Sequence, residues 1–329
     1  GEVLEFAQSY LAIVGGFLFL QAIITTIAAI IRVRGWTKQA MYISLGMNIL
    51  HVILNYVLIF GKFGFPEMGV EGAAWSSVIS RAAAAIVFVW LLTQALEVKV
   101  KLKNFVTWST DYVKKILRIG IPSAFEQILY QTSQIVLLYY VTYVGAEALT
   151  ARQYAMNISM FIYLFAMAIG TGTAIIIGRY VGAGDKDLAY DQVWSSVKAA
   201  LAVSLSMIVI VTIFREQLMG IFTDNPEIIQ IGASVLVLSI LLETGRTINI
   251  TVINALRASG DARYPVKIGF ISMICIGLSV GYVLVFVLEL GLVGVWLAIA
   301  LDEWIRAILV LIRWKSRKWE RFAIVTKDE

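Results

Sequence analysis

Cysteine, histidine, proline and charged residues are all scarce in this sequence. Its 329 residues include one cysteine, one histidine and four prolines, and only 15% of them are charged. The single cysteine, Cys275, excludes a disulfide framework and a cysteine-based metal site. Ordinary soluble domains carry about 25% charged residues. The low charge therefore excludes a soluble protein, a disordered chain and a nucleic-acid-binding protein, despite a formal net charge of +5.

Long apolar runs make up most of the chain, in which hydrophobic residues account for 60%. A membrane-spanning helix needs about 20 mostly apolar residues, and these runs are too long and continuous for the strands of an outer-membrane barrel. The sequence predicts an all-α polytopic membrane protein with about nine transmembrane helices. They are expected near residues 9–31, 39–60, 70–96, 113–143, 147–178, 190–214, 227–256, 265–288 and 291–312.

Lysine and arginine are concentrated in alternate loops and in the C-terminal tail. Because basic residues in short loops stay in the cytoplasm, the loop 99–110 and the basic tail 316–329 are predicted to be cytoplasmic. Nine spans then place residue 1 outside. The positive charge thus indicates topology in a cell membrane, with the lipid bilayer as the partner and no nucleic acid.

The sequence contains an internal repeat, the kind of symmetry common in transporters. The segment 56–60, YVLIF, recurs at 282–286 as YVLVF, and each copy is followed by Gly-x-x-Gly. Each is also preceded, about one span upstream, by a basic turn. Residues 1–98 therefore resemble residues 220–315, in the same orientation relative to the membrane.

Residues 111–219 have no counterpart within the chain. We therefore expect residues 1–98 to be the last three helices of an N-terminal lobe whose first three helices are absent. Residues 99–110 are predicted to be an inter-lobe loop, and residues 111–315 a six-helix C-terminal lobe. The complete architecture would be a twelve-helix, two-lobe bundle with a parallel pseudo-two-fold repeat.

A polar stripe follows Pro122 within an apolar run. Its residues recur at spacings that place them on one helix face: Glu126, Gln127, Tyr130, Gln131 and Gln134. Pro122 also removes a backbone donor from this helix. Such a stripe faces either a cavity or another helix, because ionisable and polar groups facing lipid are costly. We predict a cavity lining, with interhelical hydrogen bonding as the alternative.

A second polar cluster contains Glu243, Arg246, Asn249 and Asn254. Glu243 and Arg246 are three residues apart on a helix and can pair. Such a pair can be static, or it can be broken and remade by protonation and so couple ion flow to opening.

A third group comprises Asp302, Glu303 and Arg306 on one helix. Arg306 can either pair with Asp302, four residues earlier, or extend its guanidinium to the membrane surface. Arg152, beside Gln153 and Asn157, is predicted to be another cavity residue.

The only histidine, His51, shares a helix face with Asn48 and Asn55. With an ordinary pKa of about 6.5 it can carry a proton near neutral pH, although a single helical histidine is more often a packing residue. Both interpretations are kept.

Four stretches together resemble the multidrug and toxic compound extrusion (MATE) transporters. They are residues 64–74 (GFPEMGVEGAA), 120–122 (GIP) with the polar run after it, 170–185, and 256–261 (LRASGD). The resemblance implies twelve helices in two six-helix lobes around a central cavity, of which this chain matches helices four to twelve. It also implies a monomer once the missing helices are present.

The resemblance implies functional positions in both lobes. Relatives often show Asn-x-x-x-Asp where this chain has His51 and Asn55, acting with a Ser or Thr that matches Ser77. Others carry an acid two turns after Gly-x-Pro, where this chain has Tyr130, with Glu126 one turn earlier. We predict Glu126, Glu243 and Arg246 as ion- or proton-coupling residues. The predicted cavity lining is Gln127, Tyr130, Gln131, Gln134, Asn249, Arg152, Asp302, His51, Asn55 and Ser77.

The predicted function is secondary active efflux of amphipathic, often cationic compounds in exchange for Na⁺ or H⁺, without another cofactor. A flippase for lipid-linked precursors is the alternative, although it favours a strongly cationic cavity. An intramembrane enzyme fits less well, because the sequence offers neither paired metal-binding histidines nor clustered acids for Mg²⁺. The chain also has no phosphate-binding lysine loop for ATP.

Overall fold

Apolar segments form helices in a bilayer because every backbone N–H and C=O must find a partner within the protein. The computed structural model describes residues 2–96 and 109–323, and these residues are almost entirely helical. Eleven helices are labelled α1 to α11 in chain order. They are Glu2–Gly16, Leu18–Val33, Thr37–Ile59, Gly69–Leu96, Thr110–Val144, Ala146–Gly182, Lys186–Ile213, Arg215–Gly220, Pro226–Ala258, Arg263–Val287 and Gly291–Lys315.

The fold is that of an all-α polytopic membrane protein. Six of the described helices are long and apolar enough to cross a membrane, and the pair α1 and α2, bent by 45°, forms a seventh candidate span. Helices α5 and α11 are of spanning length too, at 35 and 25 residues, but their apolar surface is interrupted by polar and charged residues. Each of the nine predicted runs corresponds to one helix or, for residues 9–31, to the bent pair.

The chain forms two compact units, Gly1–Trp108 and Ser109–Glu329. The first contains α1 to α4 around a small apolar core that includes Ile31 and Phe88. The second contains α5 to α11 around two apolar clusters, one including Leu236 and Trp296, the other Leu256 and Trp314. Most of the predicted loop 99–110, and the tail from residue 324, lie outside the described residues.

The hairpin α3–α4 of the first unit and α10–α11 of the second share their turn geometry. Gly69 and Gly291 each begin the second helix with a positive φ, +51° and +54°, a conformation that favours glycine. The backbone N–H of the residue before each glycine, Met68 or Leu290, donates to Leu58 or Leu284 at 3.0 Å. The two leucines occupy the same position in the repeated YVLIF and YVLVF segments.

A second shared turn ends the preceding helix in each unit. Gly35 and Gly260 have φ values of +95° and +96°. Their N–H groups donate to the carbonyls of Arg32 and Arg257, at 3.0 and 3.1 Å. When Gly35 and Gly260 are aligned, Arg257 therefore corresponds to Arg32. Gly184, in the turn between α6 and α7, also has a positive φ, of +84°.

Candidate functional site

Buried charged groups on α9 and α11 lie in contact within the second unit. The Arg246 guanidinium lies 2.6 Å from Glu243 Oε1 and 3.5 Å from Glu303 Oε1. Asn249 Nδ2 donates to Glu303 Oε2 at 2.7 Å. Glu243, Glu303 and Asn249 are all buried. Because each charge has an opposite charge or an amide beside it, the cost of removing it from water is reduced.

The same cluster continues along α11 to Arg306 and Asp302. Arg306 Nη2 lies 2.8 Å from Asp302 Oδ2 and 3.1 Å from Glu303 Oε1. Ser272 of α10 donates its hydroxyl to Asp302 Oδ1 at 2.5 Å. The side chain of Arg306 is only 5% exposed. The alternative in which Arg306 extends to the membrane surface is therefore wrong: its guanidinium stays inside the unit, held between two carboxylates.

Small residues allow α9 and α11 to approach closely enough for these contacts. A Cβ on Gly245 of α9 would lie 2.8 Å from Trp304 Cδ1, so the indole of α11 packs directly on the α9 backbone. Trp304 Nε1 then donates to the carbonyl of Leu241 at 2.7 Å. This anchor fixes the rotation of α11 and directs the adjacent Glu303 toward Arg246 and Asn249.

Ser272 immediately precedes a local change in helical geometry. Residues Met273–Leu278 and Val283–Val287 of α10 are π-helical. Such turns disturb the regular backbone hydrogen bonding and are frequent at functional sites. The irregular part of α10 thus lies next to the buried charges of α11.

A separate ion pair joins α5 to the end of α9. Arg257 Nη2 donates to Glu126 Oε2 at 2.6 Å, with the Glu126 side chain 8% exposed and that of Arg257 29% exposed. Pro122 lies inside α5, one turn before Glu126. Glu126 therefore does not contact Glu243 directly: the two predicted coupling acids each have their own arginine.

The predicted polar residues of α5 line a cavity of about 460 Å³ within the second unit. Gln127, Tyr130, Gln131, Gln134 and Arg152 all border it, together with Glu243 and Arg246. Its volume falls in the range of small-molecule sites, about 300–1,000 Å³.

A second cavity, of about 140 Å³, lies beside the first. It is bordered by Gln127, Tyr130 and Arg246, which also line the larger cavity, and by both Glu126 and Asn249. Asp302 lies apart from these, on a void of about 10 Å³ next to Tyr130 and Gln134. The Glu126–Arg257 pair and members of the α9–α11 cluster thus border the same smaller cavity, which shares lining residues with the larger one.

The charges of the α9–α11 cluster do not balance. It contains three carboxylates, Glu243, Asp302 and Glu303, but two guanidiniums, Arg246 and Arg306. Glu243 Oε2 and Asn249 Oδ1 are buried and have no hydrogen-bond partner among the described residues. A buried oxygen without a donor is costly, so the cluster is suited to receive one positive charge. No group of three or more His, Cys, Asp or Glu side chains suited to a metal ion occurs in the described part of the chain.

In the first unit, the three predicted residues lie together. His51 Nε2 is 3.1 Å from Ser77 Oγ and 3.4 Å from Asn55 Nδ2. Ser76 also donates its hydroxyl to Asn55 Oδ1. The groups are neutral amides and hydroxyls around one imidazole. A cavity of about 370 Å³ in this unit has a mostly apolar lining, to which none of these four residues contributes.

Three partners were not among the site residues predicted from the sequence: Arg257, Glu303 and Arg306. Arg257 belongs to a basic turn of the internal repeat. Its position in the LRASGD segment, shortly before a turn glycine, gave no indication that it pairs with an acid 131 positions earlier. Glu303 and Arg306 could have been predicted as site residues, because they are charged residues within an otherwise apolar helix.

Comparisons with known proteins agree with this architecture. The MatE family model matches residues 1–57 and 122–283. The uncharacterized transporter YisQ of Bacillus subtilis is 43% identical over 313 residues, which are 95% of this chain and 69% of that protein. The probable multidrug resistance protein NorM of Thermotoga maritima is 31% identical over 330 residues, covering 100% of this chain and 70% of that protein.

A solved structure shares the fold. It is an outward-facing conformation of a multidrug resistance MATE family transporter of the MOP superfamily, with a TM-score of 0.88 and 20% identity. The match covers 96% of this chain and 70% of that one. The repeated hairpins, the polar α5 and the family match lead to one conclusion: the chain belongs to the MatE family of multidrug transporters and is a membrane transporter, not an enzyme.

Proposed function

We propose that the protein is a secondary active exporter that exchanges Na⁺ or H⁺ for amphipathic compounds by alternating access between two lobes. Residues 1–98 would contribute the last three helices of one lobe and residues 111–315 would form the other, linked by residues 99–110. The protein would act as a monomer in the cell membrane with residues 316–329 in the cytoplasm. The observation that carries the proposal is that the α9–α11 cluster has one carboxylate more than it has guanidiniums and borders the larger cavity through Glu243.

Glu243 is the group most suited to accept the coupling ion. It is fully buried, borders the larger cavity and keeps one carboxylate oxygen without a partner. A proton or Na⁺ at this oxygen would cancel the excess negative charge. It would also weaken the attraction between Glu243 and Arg246, leaving Arg246 with Glu303 as its remaining acid.

This change links ion binding to helix packing. Arg246 bridges Glu243 of its own helix and Glu303 of α11. If its bond to Glu243 weakens, its guanidinium is free to move toward α11, so occupancy of Glu243 biases how α9 packs. A ligand shifts such an equilibrium only as far as it binds the two states differently, and the Arg246 bridge supplies that difference.

Glu126 provides a second charge-dependent contact. Its pair with Arg257 joins α5 to the end of α9, and neutralising Glu126 would remove the attraction. In the first lobe, His51, Asn55 and Ser77 have no carboxylate among them, so we assign coupling to the second lobe. The flippase alternative is not favoured, because the named relatives include multidrug resistance proteins.

Gradient-driven dye efflux tests the proposal. The protein would be reconstituted into vesicles containing a fluorescent dye, and efflux would be measured under an imposed Na⁺ gradient and, separately, a pH gradient. We expect efflux with one gradient, its collapse with the matching ionophore, and its loss in the double variant Glu126→Gln/Glu243→Gln. The control is Glu216→Gln, whose side chain is 67% exposed. Undiminished efflux from the double variant would refute the assignment.

A further inference from the structure

Arg152 is a buried cation with no acidic partner. The residue is 5% exposed, and its Nη2 donates a hydrogen bond to Gln134 Oε1 at 3.4 Å. Its Nε has no hydrogen-bond partner in the part of the chain that the structure describes. No carboxylate of the described residues lies within ion-pair distance of it. The coupling mechanism proposed above makes no use of this residue.

The position of Arg152 points to a ligand rather than to a structural pair. It borders the larger cavity, where the other arginine, Arg246, is matched by Glu243. Among the described arginines of this lining, Arg152 is therefore the one whose guanidinium has no acid in ion-pair contact. A buried guanidinium without an anion is costly, and that cost is removed when an anion enters the cavity.

The rest of the lining suits an amphipathic anion. Amide side chains that can donate hydrogen bonds border the same cavity, among them Gln131, Gln153 and Asn157. The apolar part of the lining includes Met156, Met160 and Trp296. Methionine side chains adapt to varied shapes, and an indole offers a flat apolar surface.

We infer that this cavity binds amphipathic compounds through an anionic group, such as a carboxylate, paired with Arg152. The apolar body of the compound would lie against Met156, Met160 and Trp296. The inference rests on the proposed function, because it assigns the substrate class of that transporter. It differs from the expectation of mainly cationic compounds, since a cation would meet the unmatched charge of Arg152 at close range.

A matched pair of dyes provides the test. One is a rhodamine with a free carboxylate, and the other is the methyl ester of the same dye, which lacks the anion and keeps the ring system. Binding to the detergent-purified protein would be measured by fluorescence anisotropy. A hydrogen bond to a charged group is worth about 1.5–3 kcal/mol, so we expect the free acid to bind at least about tenfold more tightly than the ester.

Substitutions assign the preference to Arg152. Arg152→Gln should abolish it and Arg152→Lys should retain most of it, while Arg215→Gln, a change at a partly exposed arginine in the short helix α8, should leave it unchanged. Equal affinity of the wild-type protein for the two dyes, or tighter binding of the ester, would overturn the inference even if Arg152→Gln did not fold. An unchanged preference in a folded Arg152→Gln protein would overturn it as well.

Transport measurements separate this inference from the proposed function. Gradient-driven efflux of both dyes with no preference for the acid would refute the anion site and leave the exporter intact. Preference for the acid in binding, without gradient-driven efflux of either dye, would refute the exporter and leave the anion site intact.

Discussion

The hairpins α3–α4 and α10–α11 have the same backbone at their turns but different chemistry inside. Both begin their second helix at a glycine of positive φ, Gly69 or Gly291. In both, a second glycine of that helix, Gly72 or Gly294, packs against the backbone carbonyl of the equivalent leucine in the preceding helix, Leu58 or Leu284. The repeated residues therefore serve the close packing of the two helices of each hairpin.

The polar positions have diverged between the copies. When the two helices are aligned at Gly72 and Gly294, Asp302 corresponds to Ser80 and Glu303 to Arg81. When the preceding helices are aligned at Leu58 and Leu284, Gly277 corresponds to His51. The hydrogen-bonded side chains of the first copy, His51, Asn55, Ser76 and Ser77, include no carboxylate, whereas the cluster of the second copy contains buried carboxylates and arginines.

The shared turns that precede the hairpins differ in the same way. Arg32 donates from Nε to the carbonyl of Ala28 in its own helix, at 3.0 Å. Arg257, at the equivalent position, reaches the carboxylate of Glu126 on α5. The same position of the repeat thus makes a contact within its own helix in the first unit, and joins two helices in the second. The comparison teaches that the repeat predicts the backbone, while function depends on the residues that differ.

Removing one charge from the second copy should have the largest effect. Arg306→Met leaves Asp302 and Glu303 as adjacent buried carboxylates without their shared cation. Breaking a buried pair in this way costs about 3–5 kcal/mol. We expect a clear fall in the midpoint of thermal unfolding in detergent, measured by loss of the monodisperse peak after heating.

The equivalent position in the first copy is Ala84, which is buried and uncharged, so the first copy has no counterpart of this ion pair. Arg306→Lys, which keeps the charge, should lose less than Arg306→Met. If Arg306→Met were as stable as the wild type, the contacts of Arg306 with Asp302 and Glu303 would not hold α11 in place.

Most of the helices could be predicted from the sequence, but the pairing of polar groups could not. The run 265–288 corresponds to Arg263–Val287, and 291–312 to Gly291–Lys315, because apolar length and turn residues are local signals. The contact between Glu126 and Arg257 is different, since it depends on how α5 packs against α9.

The same reasoning separates the cavity residues that the sequence indicated from those it did not. Gln127, Gln131 and Gln134 were visible as a stripe because helical spacing places them on one face. The unmatched charge of Arg152 became visible only when the neighbours of its guanidinium were known, because an absence of acids nearby is a property of the packed helices.

Alanine substitutions at the shared glycines should affect both copies. A Cβ at Gly72 would lie 2.6 Å from the Leu58 carbonyl oxygen, and one at Gly294 would lie 3.0 Å from that of Leu284. Overpacking of this kind typically costs about 1–3 kcal/mol. We expect Gly72→Ala to lower the free energy of unfolding more than Gly294→Ala, as measured by denaturant titration followed by helical circular dichroism.

Gly46→Ala is the control for this pair. Gly46 lies within α3, and a Cβ there would have no neighbour within 4 Å. Alanine is favoured over glycine in a helix by about 1 kcal/mol, so this variant should be at least as stable as the wild type. If Gly72→Ala and Gly294→Ala both kept the unfolding free energy of the wild type, the shared glycines would not set the helix spacing.

Removing single hydroxyls tests the difference between the copies most directly. Ser77→Ala removes the hydrogen bond with His51, in which no carboxylate takes part, and a typical hydrogen bond is worth about 1 kcal/mol. Ser272→Ala removes the donor to the Asp302 carboxylate, and bonds to charged groups are worth about 1.5–3 kcal/mol. We therefore expect Ser272→Ala to lower the unfolding free energy more than Ser77→Ala does.

The two serine variants are matched, because each removes one oxygen from a helix within a hairpin of the same backbone geometry. A difference between them then reports the charge of the partner and not the size of the deleted group. Equal losses would mean that the His51–Ser77 contact stabilises the first unit as strongly as the Ser272–Asp302 contact stabilises the second. The contrast between the copies would then lie in ligand binding alone, since the cavity bordered by Arg152 and Glu243 belongs to the second unit.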